Sequence, residues 1–268
     1  MKRIEVSVCI ILIGGTMAHA QVRSGTIVVF QLKDNQFSIA ADSRSILNGI
    51  PNDSECKIMA LNSNFVGAIS GGSGYRNGRN VFDPAEPWNG LEEMRRIAKG
   101  EMHTPSPSHT PTVDGIAEAW ANTVKLDWAN TYAVHPELVI ETARRNQGLL
   151  TNGIFALAYN GTVSLTGRTV LFNGGEMTVV PHNGRDCVLP CAAGTLDVFN
   201  EMVLQTTPRS KAEYSHFSGP SILRVFRLAN LARAYDHSGT IGGPIDALEL
   251  FNDGTIRWFA RKDNCPAN

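Results

Sequence analysis

The sequence predicts an α+β fold, a four-layer αββα sandwich in which two antiparallel sheets pack between helical layers. Three observations predict it. β-rich runs come in pairs around turn clusters, segments of helical periodicity interrupt them in two blocks, and a hairpin closes the chain.

Thr26 to Leu32 and Gln36 to Ala40 flank Lys33-Asp34-Asn35 and read as a hairpin, with Ala41-Asp42-Ser43-Arg44 at its end. Cys56 to Leu61 and Asn64 to Ile69 form a second pair around Asn62-Ser63, stopping at Ser70-Gly71-Gly72-Ser73-Gly74. Residues 72–112 are rich in Gly, Pro, Asn and Ser and read as an insertion. It holds one short helical candidate, Leu91 to Ala98, and a low-complexity stretch from His103 to Thr112 expected to be mobile. From Thr112 to Val134, Ile116, Ala119, Trp120, Val124 and Trp128 recur at helical spacing behind Thr112 and Asp114 as cap candidates, and Pro136 to Arg145 gives a further helix. Ile154 to Leu165 and Thr169 to Val180 alternate around Asn160-Gly161 and Gly174-Gly175. A short strand is expected at Cys187 to Ala192, then helices at Leu196 to Leu204 and Pro220 to Tyr235. Ile245 to Phe251 and Thr255 to Ala260 form the last hairpin, turning at Asn252-Asp253-Gly254.

The first twenty residues have a basic start at Lys2 and Arg3, an apolar run at Val6 to Ile13 and a small-residue cleavage site at Ala18-His19-Ala20. That pattern reads as a secretory signal peptide, so the expected mature chain begins near Gln21 and is secreted or periplasmic. No later segment offers the roughly 20 consecutive apolar residues that span a bilayer, so no membrane association is expected after cleavage. Residues 26–268 are enough for one large domain. With Lys+Arg 24 against Asp+Glu 25 the chain is close to neutral, which argues against nucleic acid as a partner. Cys9 leaves with the signal peptide, and Cys56, Cys187, Cys191 and Cys265 remain. The short gap between Cys187 and Cys191 suggests a local staple that leaves Cys56 to meet Cys265, with the other two connectivities open.

The chemistry concentrates near the amino end. A threonine hydroxyl is a weak nucleophile, but an amino terminus freed at the same residue supplies a general base that titrates at about 7.7–8.0. Thr26 fits that role, preceded by Gly25, whose lack of Cβ lets the hydroxyl approach the preceding carbonyl; Gln21 to Gly25 would then be a short propeptide. Lys57 lies inside an apolar strand and would lower the cost of forming an alkoxide, and Asp42 would hold that ammonium charged and oriented. Gly71, at a strand end, would offer its N–H to the developing oxyanion. Plainer uses compete: Thr26 as an ordinary strand residue, Asp42 as a turn cap paired with Arg44, and Gly71 and Gly72 as turn glycines.

The segment from Gly25 to Gly72 resembles a proteasome β-type subunit of the N-terminal nucleophile hydrolase superfamily, in an exported, bacterial-type form. G-T-I-V before the hairpin, A-A-D-S-R at its end, the C-K-I strand start and V-G-A-I-S-G-G correspond to nucleophile, carboxylate, lysine and oxyanion glycine. Tyr235-Asp236-His237-Ser238 and I-G-G-P-I-D-A-L-E-L resemble the late Asp and Ser pair and final hairpin, so the resemblance implies roles for Asp236 and Ser238. Pro190-Cys191-Ala192-Ala193-Gly194 stands where active members carry a glycine-flanked serine, so Ala192 or Ala193 replaces it. The resemblance implies hydrolysis of an amide bond in a peptide or small amide, with no cofactor, and allows a homo-oligomer. It equally allows a non-catalytic structural or binding module. The histidines show no HxH or HExxH spacing, so no metal is expected, and Trp120 and Trp128 read as core.

Overall fold

The computed structural model describes residues 21–23, 27–47, 50–76, 85–100, 112–184, 187–194, 219–236, 238–263 and 265. The expected signal peptide, Gly25 and Thr26, residues 101–111, the expected helix at Leu196 to Leu204 and His237 lie outside them.

The chain is a mixed α+β protein with antiparallel sheets. One five-stranded sheet runs β13-β2-β3-β14-β15, formed by Cys191–Gly194, Ile27–Lys33, Gln36–Asp42, Ile245–Leu250 and Ile256–Ala260. The other runs β12-β11-β10-β7-β6, formed by Glu176–Asn183, Thr162–Asn173, Leu149–Tyr159, Phe65–Gly71 and Ile58–Asn62. Both central hairpins turn where expected. Asp34 and Asn35 at one turn and Asn160 at another adopt positive φ, as Asn and Asp do more readily than other residues with side chains.

Among the described residues, alternation along the strands of the two large sheets gives three core layers. Val28, Ile39 and Ala41 of one sheet meet Val66, Ile154, Ala156 and Leu165 of the other. The first sheet's opposite face, with Val29, Ala40 and Ala247, is covered by Ile222, Val225 and Leu228 of α4 (Ser221–Tyr235). The second sheet's opposite face, with Phe65, Ile69, Phe155 and Val170, is covered by α1 (Gly90–Ala98) and α2 (Val113–Val134), with α3 (Pro136–Arg145) beside α2. The helix starts are capped as the residue types suggest: Asn89 accepts from Leu91 and Glu92 N–H, Thr112 accepts from Gly115 N–H, and Pro136 opens α3. Trp120 and Trp128 are fully buried core residues, their indole N–H groups donating to Gly90 O and Thr151 Oγ1, both at 2.8 Å.

Three readings need amendment. The strand expected at Cys187 to Ala192 lies instead at Cys191–Gly194, because a disulfide holds the Cα atoms of Cys187 and Cys191 at 5.4 Å. Four extended steps would separate them by about 13 Å. Part of the range 72–112 is not peripheral: Leu91 and Met94 of α1 are buried against α2. Two small sheets were also not anticipated. One joins β4 (Ser45–Leu47) to β5 (Ile50–Asn52); the other runs β1-β8-β9, from Gln21–Arg23, Gly74–Arg76 and Trp88–Asn89. The second disulfide joins Cys56 to Cys265, so both pairs follow the suggested connectivity. No helix among the described residues is long and apolar enough to cross a membrane.

Candidate active site

Asp42 ends β3 with no solvent exposure, and the backbone around it satisfies both carboxylate oxygens. Oδ1 accepts from the Ile27 N–H at 3.0 Å and from Lys57 Nζ at 3.3 Å. Oδ2 accepts from the N–H groups of Arg44 at 3.2 Å and Gly242 at 2.9 Å. Asp42 therefore caps its own turn and also holds a lysine, combining the two uses that the sequence left as alternatives. The Arg44 side chain is engaged elsewhere, in a two-pronged ion pair with Asp53 at 2.6 and 2.8 Å.

Lys57, one residue before β6, is 2% exposed. Its ammonium donates to Asp42 and to the Arg44 carbonyl. Burial pushes the amine well below the usual lysine range, while the Asp42 carboxylate opposes that fall by stabilising the ammonium. The Lys57 carbonyl accepts from Ile69 N–H at 3.0 Å, locking this residue to β7 just before Gly71. Gly71 has φ +81°, and a Cβ there would lie 2.7 Å from Leu149 Cδ2 and 2.8 Å from the Leu150 carbonyl, so glycine is required on both counts. Lys57, the end of β7 and the start of β2 thus meet at one end of the two large sheets.

Asp236 and Ser238 form a separate pair on an exposed loop after α4. Asp236 Oδ1 accepts from the Ser238 N–H at 2.9 Å and hydroxyl at 2.5 Å, and Oδ2 accepts from Ile241 N–H at 2.6 Å. Burial alone would raise this carboxyl, but the hydrogen bonds from Ile241 and Ser238 outweigh it and hold it below the usual range. Ser238 Oγ also shares a hydrogen bond with Thr240 Oγ1 at 2.7 Å. The loop reaches the buried carboxylate through Gly242 N–H, while Ser43 and Arg44 N–H both donate to Gly242 O at 3.1 Å. Of the six residues singled out in the sequence, the structure brings Asp42 and Lys57 into contact and sets Gly71 on the strand beside them. It pairs Asp236 with Ser238 one loop away, and Thr26 lies outside the described residues.

Two features escaped the sequence reading. Lys262 Nζ pairs with buried Asp246 Oδ2 at 2.9 Å, a second enclosed ammonium close to the first. A row of uncharged polar side chains also crosses the second sheet on its inter-sheet face: Ser70, Asn152, Thr169 and His182. The signal was present, because Ser70, Asn152 and Thr169 follow the period-two positions of Val66 and Ala68, Ile154 and Ala156, and Leu165 and Gly167. They are polar residues at core-facing registers.

No protein-family model matches the chain, and no curated protein matches it.

Proposed function

We propose that this chain is an exported, proteasome-like N-terminal nucleophile hydrolase of four-layer αββα architecture, which cleaves an amide bond with Thr26 after releasing itself between Gly25 and Thr26. One observation carries the reading: a fully enclosed Asp42–Lys57 pair whose carboxylate also holds the backbone N–H of Ile27, the residue that follows Thr26. A buried ion pair is a poor device for stability, since desolvation offsets most of its attraction, so a lysine sealed beside the start of a strand invites a functional account.

On this reading the Thr26 hydroxyl attacks the substrate carbonyl as its proton passes to the freed α-amine, and Lys57 lowers the cost of the alkoxide. Gly71 stabilises the oxyanion through its N–H. The C–N bond breaks, the leaving amine takes the proton, and water then resolves the ester on Thr26. Asp236 and Ser238 would act at a distance, by holding the loop whose Gly242 N–H completes the hydrogen bonds of Asp42.

A second reading, a non-catalytic structural or binding module, draws on Ala192 and Ala193. They pair with Val29 and Val28 in the strand beside β2, where the resemblance implies a serine. The amino-terminal sequence and intact mass of the exported protein, compared with a Thr26→Ala variant, separate the two. The hydrolase reading expects a chain beginning at Thr26, with the variant beginning near Gln21. Both chains beginning near Gln21 would leave only the module.

A further inference from the structure

A cavity of about 550 Å³ opens on the inter-sheet face, between β10, β11 and β12 on one side and β13 on the other. That size suits a small ligand or two amino-acid residues rather than a single side chain. Strand register fixes its position. Asn152 on its floor pairs with Ser70, one step from Gly71, and Gly194 on its wall pairs with Ile27, one step from Thr26. The cavity is therefore bracketed by the neighbours of the two groups that would act on the scissile carbonyl. The segment ahead of Thr26 takes a different path: Gln21–Arg23 pairs with β8, whose Tyr75 packs with Ala85, Val134 and Leu138 on the helical side. If that segment is the molecule's own first substrate, it marks the track of the acyl side, and the cavity lies across the sheet from it.

The lining decides the chemistry. Among the described residues that line it there is no Asp, Glu, Lys or Arg; the walls are largely apolar, with Phe30, Leu165 and Leu171 among them. The polar row supplies its hydrogen bonds. Asn152 Nδ2 donates to Ser70 Oγ at 3.3 Å, and Thr169 Oγ1 donates to Asn152 Oδ1. Thr169 has one proton, so with that proton given to Asn152 its oxygen accepts from His182 Nε2, 2.6 Å away. That assignment leaves Nδ1 of His182 as the acceptor. His182 is exposed at the cavity rim; partial burial, then Arg168, push its imidazole below the usual histidine range, which favours the neutral form. A charged group entering this cavity would lose hydration and gain no counter-charge, whereas a carboxamide brings both a donor and an acceptor.

We infer that this cavity receives the amine side of the substrate and selects an uncharged, amide-bearing group there, such as a glutamine side chain, over an acidic or basic one. The leaving-side role rests on the hydrolase reading; the charge selectivity does not.

The test uses three dipeptide amides, Leu-Gln, Leu-Glu and Leu-Lys, titrated into the exported wild-type chain and the Thr26→Ala variant, with affinities and perturbed residues read by NMR. The Leu-Gln probe is expected to perturb Asn152 and Thr169 and to bind at least about tenfold more tightly than the other two. Ala193→Asp, which puts a carboxylate on the cavity wall, is expected to turn the preference toward Leu-Lys, an outcome that simple misfolding would not produce. Equal affinities, no binding, or perturbation away from Asn152 and Thr169 would overturn the inference. A chain still beginning at Gln21 that binds Leu-Gln selectively sinks the hydrolase and the leaving-side role while supporting the neutral site. A chain beginning at Thr26 without charge preference leaves the hydrolase standing and sinks the selectivity.

Discussion

Lys57 and Lys262 are both enclosed ammonium groups, each held by an aspartate on the first sheet and by a backbone carbonyl, Arg44 O in one case and Glu55 O in the other. Their aspartates are neighbours in register, Asp42 opposite Ile245 and Asp246 opposite Ala41, and the lysines are 2% and 9% exposed. What differs is the covalent surroundings. Lys262 joins residue 55 to the chain end three residues before Cys265, and the Cys56–Cys265 disulfide makes the same connection beside it. Lys57 instead ties residues 42 and 44 to the start of β6, alongside the Glu55 N–H to Ser43 O hydrogen bond at 3.1 Å, and its aspartate is shared with the backbone at the start of β2. Equal chemistry therefore serves unequal ends: Lys262 reinforces a covalent clamp, whereas Lys57 joins a hydrogen-bonded cluster whose carboxylate also holds the Ile27 N–H.

The largest effect expected from breaking this comparison is at Lys57. Lys57→Met leaves Asp42 buried without its cation and should cost about 3–5 kcal/mol in urea unfolding, with much of the loss recovered when Asp42→Asn is added. A loss below about 1 kcal/mol would mean that water reaches the pair and that the enclosure does not matter. Lys262→Met should cost less, about 2 kcal/mol, because the disulfide keeps the chain end in place. It should leave the amino terminus of the exported chain unchanged. Removing Cys56 and Cys265 by substitution with Ser should raise the cost of Lys262→Met but not that of Lys57→Met, and equal coupling to both lysines would dissolve the distinction.

A smaller effect sharpens the contrast by showing a half-buried charge with like charge beside it. Asp127 of α2 lines a cavity of about 490 Å³ with Glu86, Glu93 and Arg96. Burial first, then Glu93, push its carboxyl up to about 6. The folded chain therefore binds this proton more tightly than the unfolded chain, and the ionised group weakens folding above that value. Asp127→Asn should stabilise the protein by about 1 kcal/mol at pH 7, allowing for partial solvent screening, and the gain should fade as pH drops from 6 towards 4. A gain independent of pH would assign the effect to packing instead.

Much of the fold was legible because its elements are locally encoded. Thr112 and Asn89 cap their helices with their own side chains, Trp120 and Trp128 recur at helical spacing, and Asp34-Asn35 and Asn160-Gly161 mark turns. Cys187 and Cys191 misled the strand boundary, since a covalent closure overrides the extended preference of the residues between them. Lys57 stood out as a charge inside an apolar run. Lys262 did not, because Arg261-Lys262-Asp263-Asn264 reads as an ordinary polar tail until the disulfide folds it back.

The sequence by itself determined the residue types: a hydroxyl, a carboxylate and a lysine spaced across two hairpins, the alternation that turns each strand's apolar face inward, and the cysteines available for pairing. Only the tertiary structure decided which carboxylate reaches which ammonium and which loop supplies the Gly242 N–H to Asp42. It also aligned the polar positions of four strands into one row beside a cavity whose described lining carries no Asp, Glu, Lys or Arg. The physical reason is range. Propensity, capping and periodicity act over a few residues and can be read along the chain. The Asp42–Gly242 and Ser70–Asn152 contacts join residues 200 and 82 positions apart, and their register is set by pairing of strands distant in sequence, β3 with β14 and β7 with β10.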